Sequence, residues 1–229
     1  MRKTAIMCSL AEKIKTRILI VDDHPVVREG LESILDHEQD FQVCGQAEDI
    51  TGALEAIAEA KPDIAIVDIS LKKSDGIELT KTLKARYPEI AVIVLSVHDE
   101  SVYAERVLLA GAKAYLMKDA VSEHIVKAIR KVLRGEIYVS DAVSNKFLHI
   151  IAGDKAGEAK TAIDSLSDRE FETFRLIGQG YKASQIAARL HLSVKTIETY
   201  RTRIKEKLRL ENAAELLQSS ISWSKNQNE

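Results

Sequence analysis

Short, mostly apolar runs recur along the first half of the chain, and several end on a polar residue. Ile18–Val21 leads into Asp22 and Asp23, and Ile64–Ile69 carries Asp68 near its end. Phe41–Gly45, Ala91–Ser96 and Ala114–Met117 complete a set of five. β-Branched runs of this length, without polar alternation, predict strands buried on both faces, as in a parallel sheet. Between them the apolar positions fall at helical spacing. Val27, Leu31, Ile34 and Leu35 make one stripe, and Leu54, Ile57 and Ala58 a second. Ile77, Leu79 and Leu83, then Val102, Leu108 and Leu109, then Ile125, Ile129 and Val132 make three more. Five alternations of strand and helix predict an α/β domain with a doubly wound five-stranded parallel sheet. Pro25, Pro62 and Pro88 all fall at element boundaries.

The rhythm stops after residue 134. Residues 135–164 hold Gly153, Gly157 and mixed Ala, Lys, Glu and Asp, which predicts a linker with a short helix around Val143–Ile151. Ser167 then offers a helix N-cap, with Glu170 three residues on as its capping-box partner. From there to Trp223 the pattern is helical and free of proline. The expected organisation is therefore an extension over 1–16, an α/β domain over 17–134, a linker over 135–164, and a small all-α domain over 165–229.

With 229 residues, 45% hydrophobic and 30% charged, the composition is that of an ordinary globular protein. No apolar stretch reaches the ~20 residues of a membrane helix. Arg2 and Lys3 before the short apolar run Thr4–Ala11 loosely imitate a signal peptide, but Glu12, Lys13 and Lys15 follow at once. A cytoplasmic protein is expected, with Met1 or Met7 as its start. Cys8 and Cys44 form no Cys-x-x-Cys, the six histidines lack metal-ligand spacing, and there is no phosphate-cradling Gly-rich loop. These absences argue against disulfide, zinc and nucleotide-driven chemistry. The net charge of −2 divides unevenly: residues 165–229 carry 11 Lys and Arg against 8 Asp and Glu, whereas the front is acidic. The tail is thus the part suited to a polyanion.

Ligands of open α/β sheets sit beyond the carboxyl ends of the strands, where the strand order reverses. With a flavodoxin-like order 2-1-3-4-5, Asp22 and Asp23 from the first strand meet Asp68 from the third. Each taken singly would cap a loop or helix. Together they repel by roughly 1–4 kcal/mol per pair, and a hard divalent cation such as Mg²⁺ relieves that. Ser96 and Lys118 end the fourth and fifth strands at the same edge. A cation, a hydroxyl and an ammonium around a carboxylate suit a phosphoryl group carried on it, and Asp68 sits between the metal side and the Ser96/Lys118 side.

ILIVDDHPVVREGL (Ile18–Leu31), AIVDISL (Ala65–Leu71), VLSVHD (Val94–Asp99) and AGAKAYLMKD (Ala110–Asp119) resemble the receiver domain of two-component response regulators. The resemblance implies that Asp68 is the phospho-acceptor and that Asp23 and the Ser70 backbone carbonyl bind Mg²⁺. Asp22 would hold a metal-bound water. Ser96 would be the switch hydroxyl, Tyr115 the switch aromatic and Lys118 the phosphoryl-binding lysine. It also implies that side chains at Ser70 and His98 tune dephosphorylation, and that phosphorylation turns Tyr115 inward. Lys72 stands where the family often has proline, a departure that bears on loop stiffness.

In the tail, Ser184–Leu190 and Val194–Leu208 are two short helical patterns joined at His191-Leu-Ser193. This spacing predicts a helix-turn-helix, with Ser193 capping the second helix. That helix carries Lys195, Arg201, Arg203, Lys205 and Lys207, interleaved with Thr196, Thr199 and Thr202. Long cations reach phosphates while small polar residues let a helix approach base edges, and Glu198 could accept from a cytosine amine. Leu166–Leu208 resembles the LuxR-type helix-turn-helix of the NarL/FixJ class of response regulators. The family often has glycine near the turn, where this chain has His191.

The expected protein is a DNA-binding transcriptional response regulator and not an enzyme in the usual sense. A sensor histidine kinase would phosphorylate Asp68 with Mg²⁺, and the tail would bind promoter double-stranded DNA as a homodimer, with RNA polymerase as a further partner. Leu216 and Leu217 on the last helix are the candidate dimer contact. The resemblance also allows the unphosphorylated receiver to mask the reading helix. A constitutive DNA-binding protein with a structural pseudo-receiver is the alternative. An aspartate-nucleophile phosphohydrolase is a third reading, but its second acid would stand two positions after the first, whereas Asp22 and Asp23 are adjacent.

Overall fold

The computed structural model of the chain describes residues 15–71, 75–98, 100–152 and 162–226. The five predicted strands form one parallel sheet: β1 (Thr16–Val21), β2 (Phe41–Ala47), β3 (Ile64–Asp68), β4 (Ala91–Ser96) and β5 (Ala114–Met117). Their order is β2-β1-β3-β4-β5, so the chain reverses direction across the sheet between β1 and β3. Five helices cross over between or after them: α1 (Pro25–Asp36), α2 (Ile50–Ala60), α3 (Gly76–Arg86), α4 (Glu100–Ala110) and α5 (Val121–Leu133).

The period of two along each strand decides which helices cover which face. Ile18, Ile20, Ile64, Ile66, Ile93 and Leu95 pack with Leu31 and Leu35 of α1 and Ile125 and Ile129 of α5. Their alternates Leu19, Val21, Ala65, Val67, Val92 and Val94 pack with α2, α3 and α4. Both faces of the central strands β1, β3 and β4 are buried, which is why these read as near-continuous aliphatic runs, whereas the edge strand β2 exposes Gln42 and Gln46. The start of the linker does more than connect. Tyr138 bridges to Ala114 in parallel, with Tyr115 N donating to Tyr138 O at 3.0 Å and Tyr138 N to Lys113 O at 2.9 Å. This covers part of the exposed edge of β5. Helix α6 (Asp141–Ala152) follows where a short linker helix is expected. Gly153, Gly157, Lys72, and the extension with Met1, Met7 and Cys8 lie outside the described residues.

The C-terminal part holds α7 (Asp168–Gly178), α8 (Ala183–Arg189), α9 (Val194–Leu208) and α10 (Ala213–Asn226). Ser167 and Glu170 form the predicted reciprocal cap of α7, and the Ser193 hydroxyl accepts from Thr196 N at the start of α9. His191 in the α8–α9 turn takes a left-handed φ of 52°, the conformation that makes glycine common there. One expectation is corrected here. Leu216 is 1% exposed and belongs to the core of its own domain, so it is not presented to a partner; Leu217 beside it is 42% exposed. Helical geometry alternates such neighbours between core and solvent.

The start of α3 fixes the end of β3. A Cβ on Gly76 would stand 1.9 Å from the Asp68 carbonyl oxygen and 2.8 Å from the Ile69 Cα. Both neighbours are backbone and cannot swing aside. Gly76→Ala should therefore cost about 1–3 kcal/mol as α3 or the end of β3 gives way, read as a lower urea midpoint of the full chain. An unchanged midpoint would contradict this close approach.

Candidate functional site

Asp22, Asp23 and Asp68 are brought together at the carboxyl ends of β1 and β3, and all three are buried. Parallel pairing of β1 with β3 keeps these ends side by side. One ligand atom from each of the three, and one from His24, lie within 4.8 Å of one another. His24 joins by position: its backbone N donates to Asp22 Oδ1 at 2.8 Å, and its Nδ1 is 3.1 Å from Asp22 Oδ1 and 2.9 Å from Asp23 Oδ1. The Arg28 guanidinium donates to the Asp22 carbonyl at 2.6 Å and ties α1 to the end of β1.

Lys118, directly after β5, spans two of the acids, with Nζ 2.7 Å from Asp22 Oδ2 and 2.9 Å from Asp68 Oδ2. Burial alone would lower the pKa of the Lys118 ammonium, but bonding to Asp68 and Asp22 outweighs it and raises it. Burial also pushes the Asp68 carboxyl up, against the pull of Lys118 and with the help of Asp22. One ammonium against three carboxylates leaves an excess of negative charge in a closed space. The three buried carboxylates are the oxygen donors that fit a hard divalent cation such as Mg²⁺, and the exposed His24 imidazole is not a ligand such a cation calls for.

Ser96 and Tyr115 stand beside this cluster and meet at one residue. His98 N donates to Ser96 Oγ at 2.9 Å, and the Tyr115 hydroxyl donates to His98 O at 2.7 Å. Tyr115 is already buried inward. The expectation that this ring waits outside for phosphorylation is therefore not what the structure holds. Ser70 Oγ lies 3.1 Å from His98 Nε2, which joins the two positions expected to tune dephosphorylation.

On the second domain, Lys195, Glu198, Thr199, Thr202 and Arg203 lie on the exposed side of α9, while Ile197 and Ile204 are buried. Thr196 and Lys205 are half-buried. The Thr199 and Thr202 hydroxyls donate to Lys195 O and Glu198 O, each at 3.0 Å. Glu198 pairs with Arg201 at 2.9 Å. Lys207 differs from the others: its Nζ is 2.6 Å from the buried Glu170 carboxylate and 3.1 Å from Ser165 O. Burial raises the Glu170 pKa, but Lys207 and Ser167 more than reverse that. In this arrangement Lys207 ties α9 to the start of α7.

The two domains touch through α7, a contact that no sequence pattern announces. Arg106 of α4 donates to Ile163 O at 3.0 Å and Leu166 O at 3.1 Å, and its guanidinium lies 4.0 Å over the Phe171 ring. Lys81 of α3 pairs with Asp168 at 2.8 Å. Tyr103 meets Phe171 edge-on at 5.6 Å, and Arg169 faces Asp75 at 3.8 Å. A cleft of about 260 Å³ separates the acid cluster from α7 and α8, lined by residues including Asp23, His98, Glu172, Arg175 and Arg189. The side of α9 expected to meet DNA stays exposed, so in this arrangement the receiver does not cover that helix.

Residues 18–130 match the response regulator receiver domain family, and residues 164–220 match the luxR family of bacterial regulatory proteins. The chain belongs to the response regulators that join these two modules. Among its relatives is the oxygen regulatory protein NreC of Staphylococcus epidermidis, 33% identical over 210 residues that cover 90% of this chain and 96% of that protein. NreC of Staphylococcus aureus is 34% identical over 209 residues, covering 90% and 96%. Similar solved structures include the RcsB response regulator of Salmonella typhimurium, with TM-score 0.54, 29% identity and coverage of 90% and 97%. RcsB of Salmonella enterica serovar Typhimurium bound to promoter rprA in the presence of the phosphomimetic BeF₃⁻ gives TM-score 0.58 and 28% identity, covering 89% of this chain and 97% of that one. The chain is thus a DNA-binding response regulator of the NarL/LuxR family. Among the described residues no helix is long and apolar enough to cross a membrane.

Asp75 gives the domain contact a pH dependence. Burial raises its pKa to about 6 against the opposing pull of Arg169, with Asp168 and Glu172 adding to the rise. A carboxyl with a raised pKa in the folded state takes up its proton more readily there than in the unfolded chain. Its contribution to stability therefore grows as pH falls through about 6 and is complete below the ordinary value of 3.8. Between pH 7.5 and pH 5 this amounts to roughly 1 kcal/mol. Asp75→Asn keeps the N-cap on α3 and should remove that increment from urea midpoints compared at the two pH values. An identical pH response in wild type and variant would rule Asp75 out as its source.

Proposed function

We propose that Asp68 accepts a phosphoryl group from a sensor histidine kinase and that this controls binding of the 165–229 domain to promoter DNA. Residues 17–134 then act as the receiver and 135–164 as the linker. The observation that carries this reading is the closed cluster of Asp22, Asp23 and Asp68 with Lys118 bonded to two of the three. A divalent cation would bring the positive charge such a cluster needs, and a phosphoryl group on Asp68 would add oxygen ligands for that cation.

Asp68 is the nucleophile. Its carboxylate forms the new oxygen–phosphorus bond as the nitrogen–phosphorus bond of a phosphohistidine breaks, and burial makes that carboxylate more basic. Lys118 already lies on an Asp68 oxygen and is suited to follow the charge onto the phosphoryl oxygens. Ser96 brings a buried hydroxyl at the end of the neighbouring strand. Mg²⁺ would be held by Asp23, Asp68 and the Ser70 carbonyl, with Asp22 acting through a water. When bound, it would supply the positive charge that three acids and a phosphoryl group require.

On the DNA side, Lys195 and Arg203 are suited to phosphates, and Glu198, Thr199 and Thr202 to base edges; Thr196 and Lys205 border that face. Lys207 is better suited to holding α9 on α7 through Glu170. RcsB is described bound to promoter DNA, which supports a promoter for this chain too. For pairing on DNA, Leu217 and Ile221 offer an exposed apolar pair one turn apart on α10. A cytoplasmic location follows from this reading.

Two experiments test it. Asp68→Asn should abolish labelling by acetyl phosphate or a cognate kinase, because an amide cannot act as acceptor; labelling at the wild-type rate would overturn the assignment. Lys195→Ala and Arg203→Ala should weaken binding at all DNA sequences and flatten its salt dependence by about one counter-ion each. Glu198→Ala or Thr202→Ala should instead relax sequence choice. A lysine variant that altered specificity with unchanged affinity would contradict the docking.

A further inference from the structure

His98 is the residue at which the phosphorylation pocket and the DNA-binding domain meet. Its backbone binds both switch residues, through Ser96 Oγ at 2.9 Å and the Tyr115 hydroxyl at 2.7 Å. Its ring is shared. Nε2 lies 3.1 Å from Ser70 Oγ and 3.4 Å from Glu172 Oε1, while Nδ1 faces Arg175 at 3.4 Å. Glu172 and Arg175 belong to α7 of the second domain. The ring also stacks on Tyr103 at 4.8 Å, and Tyr103 in turn meets Phe171 of α7.

The donor inventory fixes how this junction works. A guanidinium only donates, so Nδ1 accepts from Arg175 and the ring hydrogen sits on Nε2. That single N–H has two acceptors within reach, the Ser70 hydroxyl and the Glu172 carboxylate. Burial would raise the Glu172 pKa, but its bond to His98 and the charge of Arg169 lower it, so the carboxylate persists at neutral pH. While α7 is docked, Glu172 competes with Ser70 for the Nε2 hydrogen, and Arg175 fixes the ring plane. The 96–98 segment is thereby pinned with Ser96 Oγ engaged by His98 N.

We propose that His98 is a latch through which α7 restrains the pocket around Asp68, with Glu172 and Arg175 as positioning residues for the phosphoryl chemistry. The proposal rests on the reading of Asp68 as acceptor. A phosphoryl group on Asp68 that draws the Ser96 hydroxyl toward itself must strain or break the bond to His98 N. The segment that presents the imidazole to Glu172 and Arg175 then shifts. Linkage makes the effect reciprocal: loss of the Glu172 and Arg175 contacts with the His98 ring must favour a ligand on Asp68 by the factor by which that ligand weakens those contacts. This coupling is separate from the Arg106 and Lys81 contacts, which hold α7 to the receiver without touching His98.

The test is calorimetric titration of the full chain with beryllofluoride and Mg²⁺, which mimic a phosphoryl group. Glu172→Ala, a change in the other domain, should tighten binding about fivefold or more. Glu172→Gln, which can still accept from Nε2, should stay nearer wild type. His98→Ala combined with Glu172→Ala should add nothing to His98→Ala alone, because both remove the same coupling. Arg106→Ala should have less effect than Glu172→Ala. The single tryptophan, Trp223, packs 5.2 Å from Phe171 and 6.1 Å from Phe174, so its emission follows α7 in the same titrations. If Glu172→Ala left affinity within twofold of wild type, if the two changes were additive, or if Arg106→Ala matched Glu172→Ala, the latch would be refuted. If beryllofluoride bound Asp68→Asn as well as wild type, the acceptor reading itself would fall instead.

Discussion

Three carboxylates held within reach of one ammonium are the constraint around which the receiver is arranged. Parallel strands all end at the same edge of the sheet, and the crossover between β1 and β3 puts Asp22 and Asp23 beside Asp68. Such a cluster cannot be stable by itself, because like charges at these separations repel by roughly 1–4 kcal/mol per pair. Lys118 removes part of that cost through two ion pairs. What is left is a standing demand for positive charge, the demand on which the proposed phosphoryl transfer would draw. Gly76 belongs to the same constraint: only a residue without a side chain lets α3 start against the carbonyl of Asp68.

The second domain is attached by a different kind of force. Its contact with the receiver combines an aromatic edge contact, a guanidinium over Phe171 and a set of partly exposed ion pairs. Contacts of this kind are each worth about 1 kcal/mol or less. A contact built from such terms is strong enough to define an arrangement and weak enough for one modification to shift it. A sheet-and-helix core like that beneath β1–β5 could not serve, because its burial makes it an all-or-none structure.

The fold was legible because two simple periods carry it. Mostly apolar runs marked all five strands, and only their ends moved: β1 starts at Thr16, ahead of Ile18, and β2 reaches Ala47, past Gly45. The acid cluster was legible for a related reason, since strand ends are read from sequence and a parallel sheet makes them coincide. The contact through α7 was not. Lys81, Arg106, Asp168 and Glu172 are ordinary polar residues on amphipathic helices, and nothing local distinguishes a charge that meets another domain from one that meets water. The bond from Lys207 to Glu170 was hidden for the same reason, because the two lie 37 residues apart in sequence. His24 entered the acid cluster through a turn geometry that residue spacing does not encode. Leu216 and Leu217 show the limit of a single helix read alone, where a shift of one residue separates core from surface.

Because docking uses α7 and leaves the outer side of α9 exposed, the proposed control of DNA binding cannot depend, in this arrangement, on uncovering α9. It has to act on where that helix can be carried. A two-fold pair on DNA needs two reading helices about one turn of duplex apart, and a domain pinned at Phe171, Asp168 and Glu172 has its orientation set by its own receiver. Releasing α7 leaves the linker and α6 as the tether and returns that orientation to the DNA and to the second copy. The small energies of the α7 contact match such a role. Orientation is lost or kept at a cost of a few kcal/mol, the range a single phosphoryl group can supply through the bonds it makes.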